Sequence, residues 1–341
     1  MDVTPDPVPG TAAGSGPADR SGASSITLEG IGKRYPDGTE AVRDLSLEVR
    51  AGELTVLIGP SGCGKSTVLR MINRLVEPTS GRILLGDDDV TRVDPVRLRR
   101  RIGYVIQNVG LFPHQTVRAN VGTVPRLLGW SKERSSRRVD ELLELVGLDP
   151  AQFGRRYPHE LSGGQRQRVG VARALAADPV VLLMDEPFSA VDPIVRTRLQ
   201  EEFLRLQAEM RKTIVLVTHD LDEAVRLGDR IAVLSEGGKL EQYDPPARLL
   251  GAPASDFVRE FVGADRGIRR LAVTPVTRET LQPLPADLSG LPRVRLGGSA
   301  YDALAALLGA SADRAVVVDD DGPVGALTRQ QLLDLGQQPV P

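Results

Sequence analysis

Apolar and polar positions along this chain fall into short blocks, and the blocks predict the elements. Runs at Ile26–Leu28, Leu45–Val49 and Leu54–Ile58 have the length and composition of strands. A glycine-rich turn follows the third, and a helix is predicted over about Lys65–Leu75. Another strand, Ile102–Ile106, ends at Gln107. From about 115 to 177 the pattern is mainly helical, with Val139, Leu142, Leu143 and Val146 at helical spacing. Val180–Met184 is apolar without interruption, as in a strand covered on both faces. Asp192-Pro193 reads as an N-cap followed by proline at the first helical position. Val195, Leu199, Phe203, Leu206 and Met210 continue that helix on one face, and Thr213–Val217 is the next strand. The order predicts an α/β domain with a largely parallel core sheet and a helical insertion in its middle.

Both ends differ from this. Residues 1–24 are rich in Pro, Gly, Ser, Ala and Asp. Such a segment buries too little apolar area to offset its ordering entropy, which predicts a disordered tail. After Val262 prolines multiply and apolar clusters thin out, placing a boundary near Ala264. Residues 25–263 are then the main domain. Residues 264–292 are a linker that can include the start of a small module, and 293–337 are the module. Its predicted order is β-α-β-α: Arg293–Leu296, helix Ala300–Leu308, strand Ala315–Asp319, a turn at Asp320–Gly322 and helix Arg329–Leu335.

Composition narrows the function. Among 341 residues, 43 Lys+Arg nearly balance 45 Asp+Glu, so no broad basic field is available to hold nucleic acid. The one cysteine, Cys63, excludes an internal disulfide and a cysteine zinc cluster, in keeping with a reducing compartment. No apolar run approaches the ~20 residues of a membrane-spanning helix. With no signal-peptide core at the N-terminus, the expectation is a soluble protein kept in the cytoplasm.

The first chemistry-bearing motif is Gly59-Pro60-Ser61-Gly62-Cys63-Gly64-Lys65-Ser66-Thr67, which fits G-x-x-x-x-G-K-[ST]. It follows a predicted strand and opens a predicted helix, as a phosphate-binding loop must. Gly62 and Gly64 let the backbone curl so that N–H groups turn toward phosphate oxygens, and the helix adds its positive end. Lys65 reaches the β- and γ-phosphates, and the Ser66 hydroxyl ligates Mg²⁺. The competing reading is a glycine-rich turn with an exposed lysine. Cys63 reads as a small residue filling a small space; a thiol activated by the helix end is its alternative.

Val180–Pro187 is an apolar strand ending in two acids. Alone, Asp185-Glu186 could be an ordinary strand end. With a phosphate loop upstream, Asp185 takes the metal's water shell, leaving Glu186 to polarise the attacking water as general base.

Leu161-Ser162-Gly163-Gly164-Gln165, followed by Arg166-Gln167-Arg168, resembles the signature of ABC ATPases, and it precedes the acid pair as that family requires. Its companions are present in order. Gln107 ends a strand like the family's Q-loop glutamine. Ser189-Ala190-Val191-Asp192 is similar to the D-loop, with valine where leucine is more usual. Thr218-His219-Asp220 follows a strand like the switch histidine, and Tyr35 stands where the family sets an aromatic ring against adenine. The resemblance implies a P-loop NTPase core of RecA type with an antiparallel β subdomain and a helical subdomain. It also implies a head-to-tail homodimer. ATP with Mg²⁺ then lies between the phosphate loop of one copy and Ser162, Gly163, Gly164 and Gln165 of the other, with Asp192 at the same interface. The implied catalytic set is Glu186, His219, Gln107 and Lys65, and the implied metal set is Ser66, Gln107 and Asp185. His114 and His159 have no metal-ligand spacing and read as surface or packing residues.

The stretch from Arg101 to Asn120 is more particular. With Val124-Pro125, Gly129-Trp130 and Asp256–Arg266 it resembles the ATPases of importers for glycine betaine, choline or carnitine, over about residues 26–270. This implies a peripheral subunit at the cytoplasmic face of the membrane, a separate permease and an extracytoplasmic solute-binding protein. The same resemblance puts the segment from Gln107 to about Leu128 against the permease, with Leu111, Phe112 and Val117 as its apolar contacts. Ala315–Leu327 is similar to one CBS motif, where relatives commonly carry two; the Asp319–Asp321 run reads as a solvated turn. An importer of another small solute, such as an amino acid or a sulfonate, is the nearest alternative. A non-transport ABC ATPase is more remote: the chain has neither two cassettes nor long coiled coils.

Overall fold

The computed structural model describes residues 23–107, 109–189 and 191–337, so most of the expected N-terminal tail lies outside the described residues. The chain opens with strands β1 (Ile26–Arg34), β2 (Glu40–Val49) and β3 (Leu54–Ile58), then helix α1 (Lys65–Ile72). Strands β4 (Ser80–Leu85) and β5 (Asp88–Asp89), helix α2 (Pro95–Arg101) and strand β6 (Ile102–Val105) follow. The helical insertion comprises α3 (Val117–Val121), α4 (Thr123–Leu127), α5 (Lys132–Leu145), α6 (Pro150–Phe153) and α7 (Gly163–Leu175). Then come β7 (Val181–Asp185), α8 (Pro193–Met210), β8 (Thr213–Val217), α9 (Leu221–Leu227), β9 (Arg230–Leu234) and β10 (Leu240–Asp244). Helices α10 (Pro246–Gly251), α11 (Asp256–Val262) and α12 (Arg266–Val273) lead to β11 (Arg293–Arg295), α13 (Ala300–Gly309), β12 (Arg314–Asp319), β13 (Gly322–Thr328) and α14 (Arg329–Gln337).

The main sheet has the order β10-β9-β3-β8-β7-β6, parallel except for β10. Its unbroken apolar runs are explained by coverage on both faces. Val56, Met184, Leu216 and Val233 belong to a core shared with α7, α8, α9 and the helical insertion. Their strand neighbours Leu57, Leu183, Val215 and Ala232 face a second core, built with α1 and the antiparallel sheet β2-β1-β4-β5. The period-2 alternation of a strand thus feeds two apolar faces. A buried side chain of this size is worth about 1.5–3 kcal/mol.

The small module is a β11-β12-β13 sheet with its own core around Leu307, Val317, Leu327 and Leu332. Two features were absent from the sequence reading. Gly322–Thr328 is a strand, paired back on β12, where the pattern gave only a turn. Gly322, Pro323 and Gly325 broke the signal, and Pro323 is tolerated because β13 lies at the sheet's edge. The second is α12, within the expected linker. Leu271 of α12 and Val276 are buried in the module's core, and Gln282 exchanges two backbone hydrogen bonds with Ala326. Helix α12 also packs on α9 and α10 of the main domain. Among the described residues, no helix is long and apolar enough to cross a membrane.

A candidate nucleotide site at the carboxyl ends of four strands

Strands β3, β8, β7 and β6 are neighbours, and the motif residues leave their carboxyl ends side by side. Open parallel sheets bind ligands at this edge. The loop Gly59–Gly64 joins β3 to α1, with Pro60, Ser61 and Gly62 exposed and Cys63 buried. Cys63 fills the small space expected of it. Two glycines are sterically required: a Cβ on Gly59 would meet the Leu234 carbonyl oxygen at 2.1 Å, and one on Gly64 the Ala41 oxygen at 2.3 Å. Gly64 also has φ 105°, which a side chain rarely adopts. Lys65 opens α1 and is buried rather than exposed. Its ammonium donates to the Gly59 and Pro60 carbonyls at 2.8 and 2.9 Å, inside the curl of the loop. Thr67 lies in the same first turn.

Ser66 donates its hydroxyl to Asp185 Oδ1 at 2.9 Å. Burial raises the Asp185 carboxyl above its usual range, partly offset by that hydrogen bond and by the charge of Arg70. An oxygen pair of hydroxyl and poorly solvated carboxylate is the donor set a hard cation prefers.

Glu186 is bent away from the strand by a left-handed backbone, φ 46°. Such a conformation costs a non-glycine residue about 1 kcal/mol or more. Its N–H still bonds to the Val217 carbonyl, so the turn is anchored to β8. The carboxylate meets two predicted partners: Oε2 accepts from Gln107 Nε2 at 2.9 Å, and Oε1 lies 3.3 Å from His219 Nδ1. Three side chains leaving three strands therefore converge.

The other predicted residues stand on other segments of the chain. Ser162 caps α7 in a reciprocal box with Gln165, at 3.3 and 2.9 Å, and stands exposed with Gly163. Gly164 lies against Val195 and Leu199 of α8. Asp192 is exposed immediately before α8, which starts at Pro193 as expected. Tyr35 opens the turn between β1 and β2, and Lys33 sits 5.3 Å from its ring centre.

The permease-facing expectation needs correction at Val117. It is fully buried in the helical core, because Thr116 caps α3 and turns the next side chain inward. Leu111 is half-buried against the same core, and Phe112 is exposed. His114 and His159 are ring neighbours of Phe112 and Tyr157.

Two residues of the site escaped the sequence reading. Arg173 of α7 donates to the Val109 and Gly110 carbonyls, clamping the segment after Gln107. Glu223 of α9 is buried and bonded to Thr218, and burial pushes its carboxyl up to about 7. A carboxyl raised from 4.5 keeps its proton in the fold while the unfolded chain loses its own. Stability therefore falls as pH rises from the unfolded value to about 7, and the penalty is full above that. Glu223→Gln is expected to match the parent at pH 4 and to gain about 2–3 kcal/mol at pH 8, read from urea midpoints.

A family model described as ABC transporter matches residues 42–189. The glycine betaine uptake system ATP-binding protein YehX of Escherichia coli K12 is 47% identical over 296 residues, covering 86% of this chain and 94% of that protein. The chain belongs to the ABC transporter family of ATP-binding proteins. Other ABC relatives match over a smaller share of the chain. The carnitine transport ATP-binding protein OpuCA of Listeria monocytogenes is 54% identical over 71% of this chain. The glycine betaine/carnitine/choline transport ATP-binding protein OpuCA of Bacillus subtilis is 53% identical over 72%. The chain spans 60% and 64% of the length of those two. Among solved ABC structures, the dimeric cassette MJ0796 bound to ADP and Pi has a TM-score of 0.58 at 34% identity, covering 64% of this chain and 98% of its own. CbiO1 of Clostridium perfringens has 0.62 at 28%, covering 67% and 91%.

Proposed function

We propose that this chain hydrolyses ATP at a head-to-tail homodimer interface and thereby drives a separate permease importing a quaternary-ammonium osmoprotectant. The observation that carries the ATPase reading is the convergence of Gln107, Glu186 and His219 beside the phosphate loop and the Ser66–Asp185 pair. Lys65 and the loop Gly59–Thr67 bind the phosphates, and Tyr35 receives the adenine. Glu186 accepts the proton of the attacking water. Gln107 and His219 hold that carboxylate from either side. Ser66, Asp185 and the free oxygen of the Gln107 amide would hold Mg²⁺. When bound, the ion supplies positive charge to the phosphate oxygens. Ser162, Gly163, Gly164, Gln165 and Asp192 serve the partner's nucleotide, in keeping with the exposure of Ser162, Gly163 and Asp192.

The substrate class rests on the relatives named for glycine betaine, carnitine and choline. The permease and an extracytoplasmic binding protein carry the specificity, and this subunit sits at the cytoplasmic face. The module at 293–337 is read as a single CBS-like unit. The test is ATP-driven uptake of labelled glycine betaine, choline and carnitine into vesicles holding the cognate permease. Uptake of an amino acid in place of all three sinks the substrate class, and absence of ATP turnover sinks the reading altogether.

Phe112 and Leu127 are the large apolar residues exposed in the segment assigned to the permease, and Phe112 is the one the expectation named. Phe112→Glu is expected to leave soluble ATPase activity within about twofold while uptake is lost. Val117→Asp instead unfolds the helical insertion, because an unpaired buried carboxylate costs several kcal/mol. Circular dichroism separates the two. Unimpaired uptake by Phe112→Glu would remove this surface from docking.

A further inference from the structure

Behind the turn that presents His219 lies a carboxyl the reading above does not use. Glu223, 5% exposed, sends Oε2 to the Thr218 hydroxyl, which donates to it at 2.9 Å. Its Oε1 is buried with no hydrogen-bond partner among the described residues. Thr218 Oγ1 in turn accepts the Asp220 N–H at 3.1 Å. Asp220 Oδ1 accepts the N–H groups of Asp222 and of Glu223 itself, at 2.9 and 3.2 Å. The bonds close a ring around position 219. Both neighbours of the histidine are tied to Glu223, while the imidazole stays open to solvent and faces Glu186.

We propose that Glu223 is the positioning residue of this turn: by gripping Thr218 it fixes where His219 stands relative to Glu186, and the grip depends on its charge.

The surrounding groups set the direction. Asp220, on the same turn, opposes ionisation of Glu223. Arg196 of α8, 3.5 Å from Asp220 Oδ2, and His219 favour it. Farther along α9, Arg226 pairs with Glu201 of α8 and Asp222 with Arg269 of α12, so those charges are already answered. Strand β3, packed under α9, has no titratable residue. An ionised Glu223 accepts from Thr218 and leaves that oxygen free to accept from Asp220. A protonated Glu223 offers Thr218 only a neutral carbonyl oxygen, so the bond loses its charge assistance and weakens. With the group poised at about 7, the grip strengthens as pH rises through neutrality.

The inference rests on the ATPase reading, and the test separates the two. ATP turnover and ATP affinity are measured on the full chain from pH 6 to 8. Glu223→Ala is expected to lower kcat about 10- to 100-fold with affinity within about twofold, since a misplaced catalytic group costs this much. Glu223→Gln keeps an acceptor for Thr218 but no charge. It should hold kcat near the parent's pH 6 value and lose the parent's rise between pH 6 and 8. Thr218→Val, close in shape, should repeat the Ala loss, and Thr218→Ser should restore activity. A Gln profile superimposable on the parent's overturns the proposal. So does a fully active Thr218→Val, which decides the matter even if Glu223→Ala does not fold. A parent without turnover refutes the ATPase reading instead.

Discussion

Glu186→Gln is expected to bind ATP normally and to lose turnover by about 10²–10⁴-fold, the range of a general base. The geometry makes this substitution clean. Glu186 keeps its left-handed backbone through its N–H bond to Val217, which the change does not touch. A glutamine oxygen can still accept from Gln107 Nε2, now 2.9 Å from the carboxylate, and the new amide then faces His219. Position survives and basicity does not. Nucleotide should therefore remain trapped, and the protein should accumulate as an ATP-bound dimer. Single-turnover hydrolysis and size-exclusion with ATP read both effects. Turnover within tenfold of the parent removes Glu186 as the base.

Ser162→Arg is expected to abolish turnover while the isolated monomer binds ATP as before. Ser162 is exposed, and its hydroxyl oxygen accepts from the Gln165 N–H of its own helix. In the proposed head-to-tail arrangement, a long cation at this position obstructs only a partner's nucleotide. The substitution also removes the cap of α7, worth about 1 kcal/mol. Ser162→Ala isolates that cost, and it should remain folded. Equilibrium binding of ATP to Ser162→Arg, Ser162→Ala and Lys65→Ala decides. If Ser162→Arg loses as much affinity as Lys65→Ala, the head-to-tail arrangement is wrong.

What could be read from the sequence was local. The phosphate loop is contiguous, and its strand and helix follow from runs a few residues long. Leu54–Ile58 and Thr213–Val217 fall where the apolar runs put them, because a strand covered on both faces needs no partner to reveal it. The order of motifs supplied the family. What could not be read depends on neighbours distant in the chain. Val117 has the sequence context of a loop contact, yet the cap at Thr116 turns it into the core. Glu223 is one acid among many until the fold removes its water. Arg173 lies 63 and 64 residues from the carbonyls it holds, and nothing in its surroundings announces them. Helix α12 was missed because it is only eight residues long and buries just one of them, Leu271, among residues rich in arginine.

That helix changes how the chain can be divided. Composition shifts at Ala264, which invites a cut there, but α12 belongs to two interiors at once. Leu271 lies in the small module's core, while Arg269 on the same helix pairs with Asp222 of α9 and Asp265 and donates to the Val262 carbonyl. A cut at Ala264 uncovers the main domain beside its switch turn. A cut beyond Val273 leaves Leu271 without its core. The two halves are therefore not exchangeable cassettes, and a chimaera that swaps the module for that of a relative must bring a matching α12 and the α9 surface it grips.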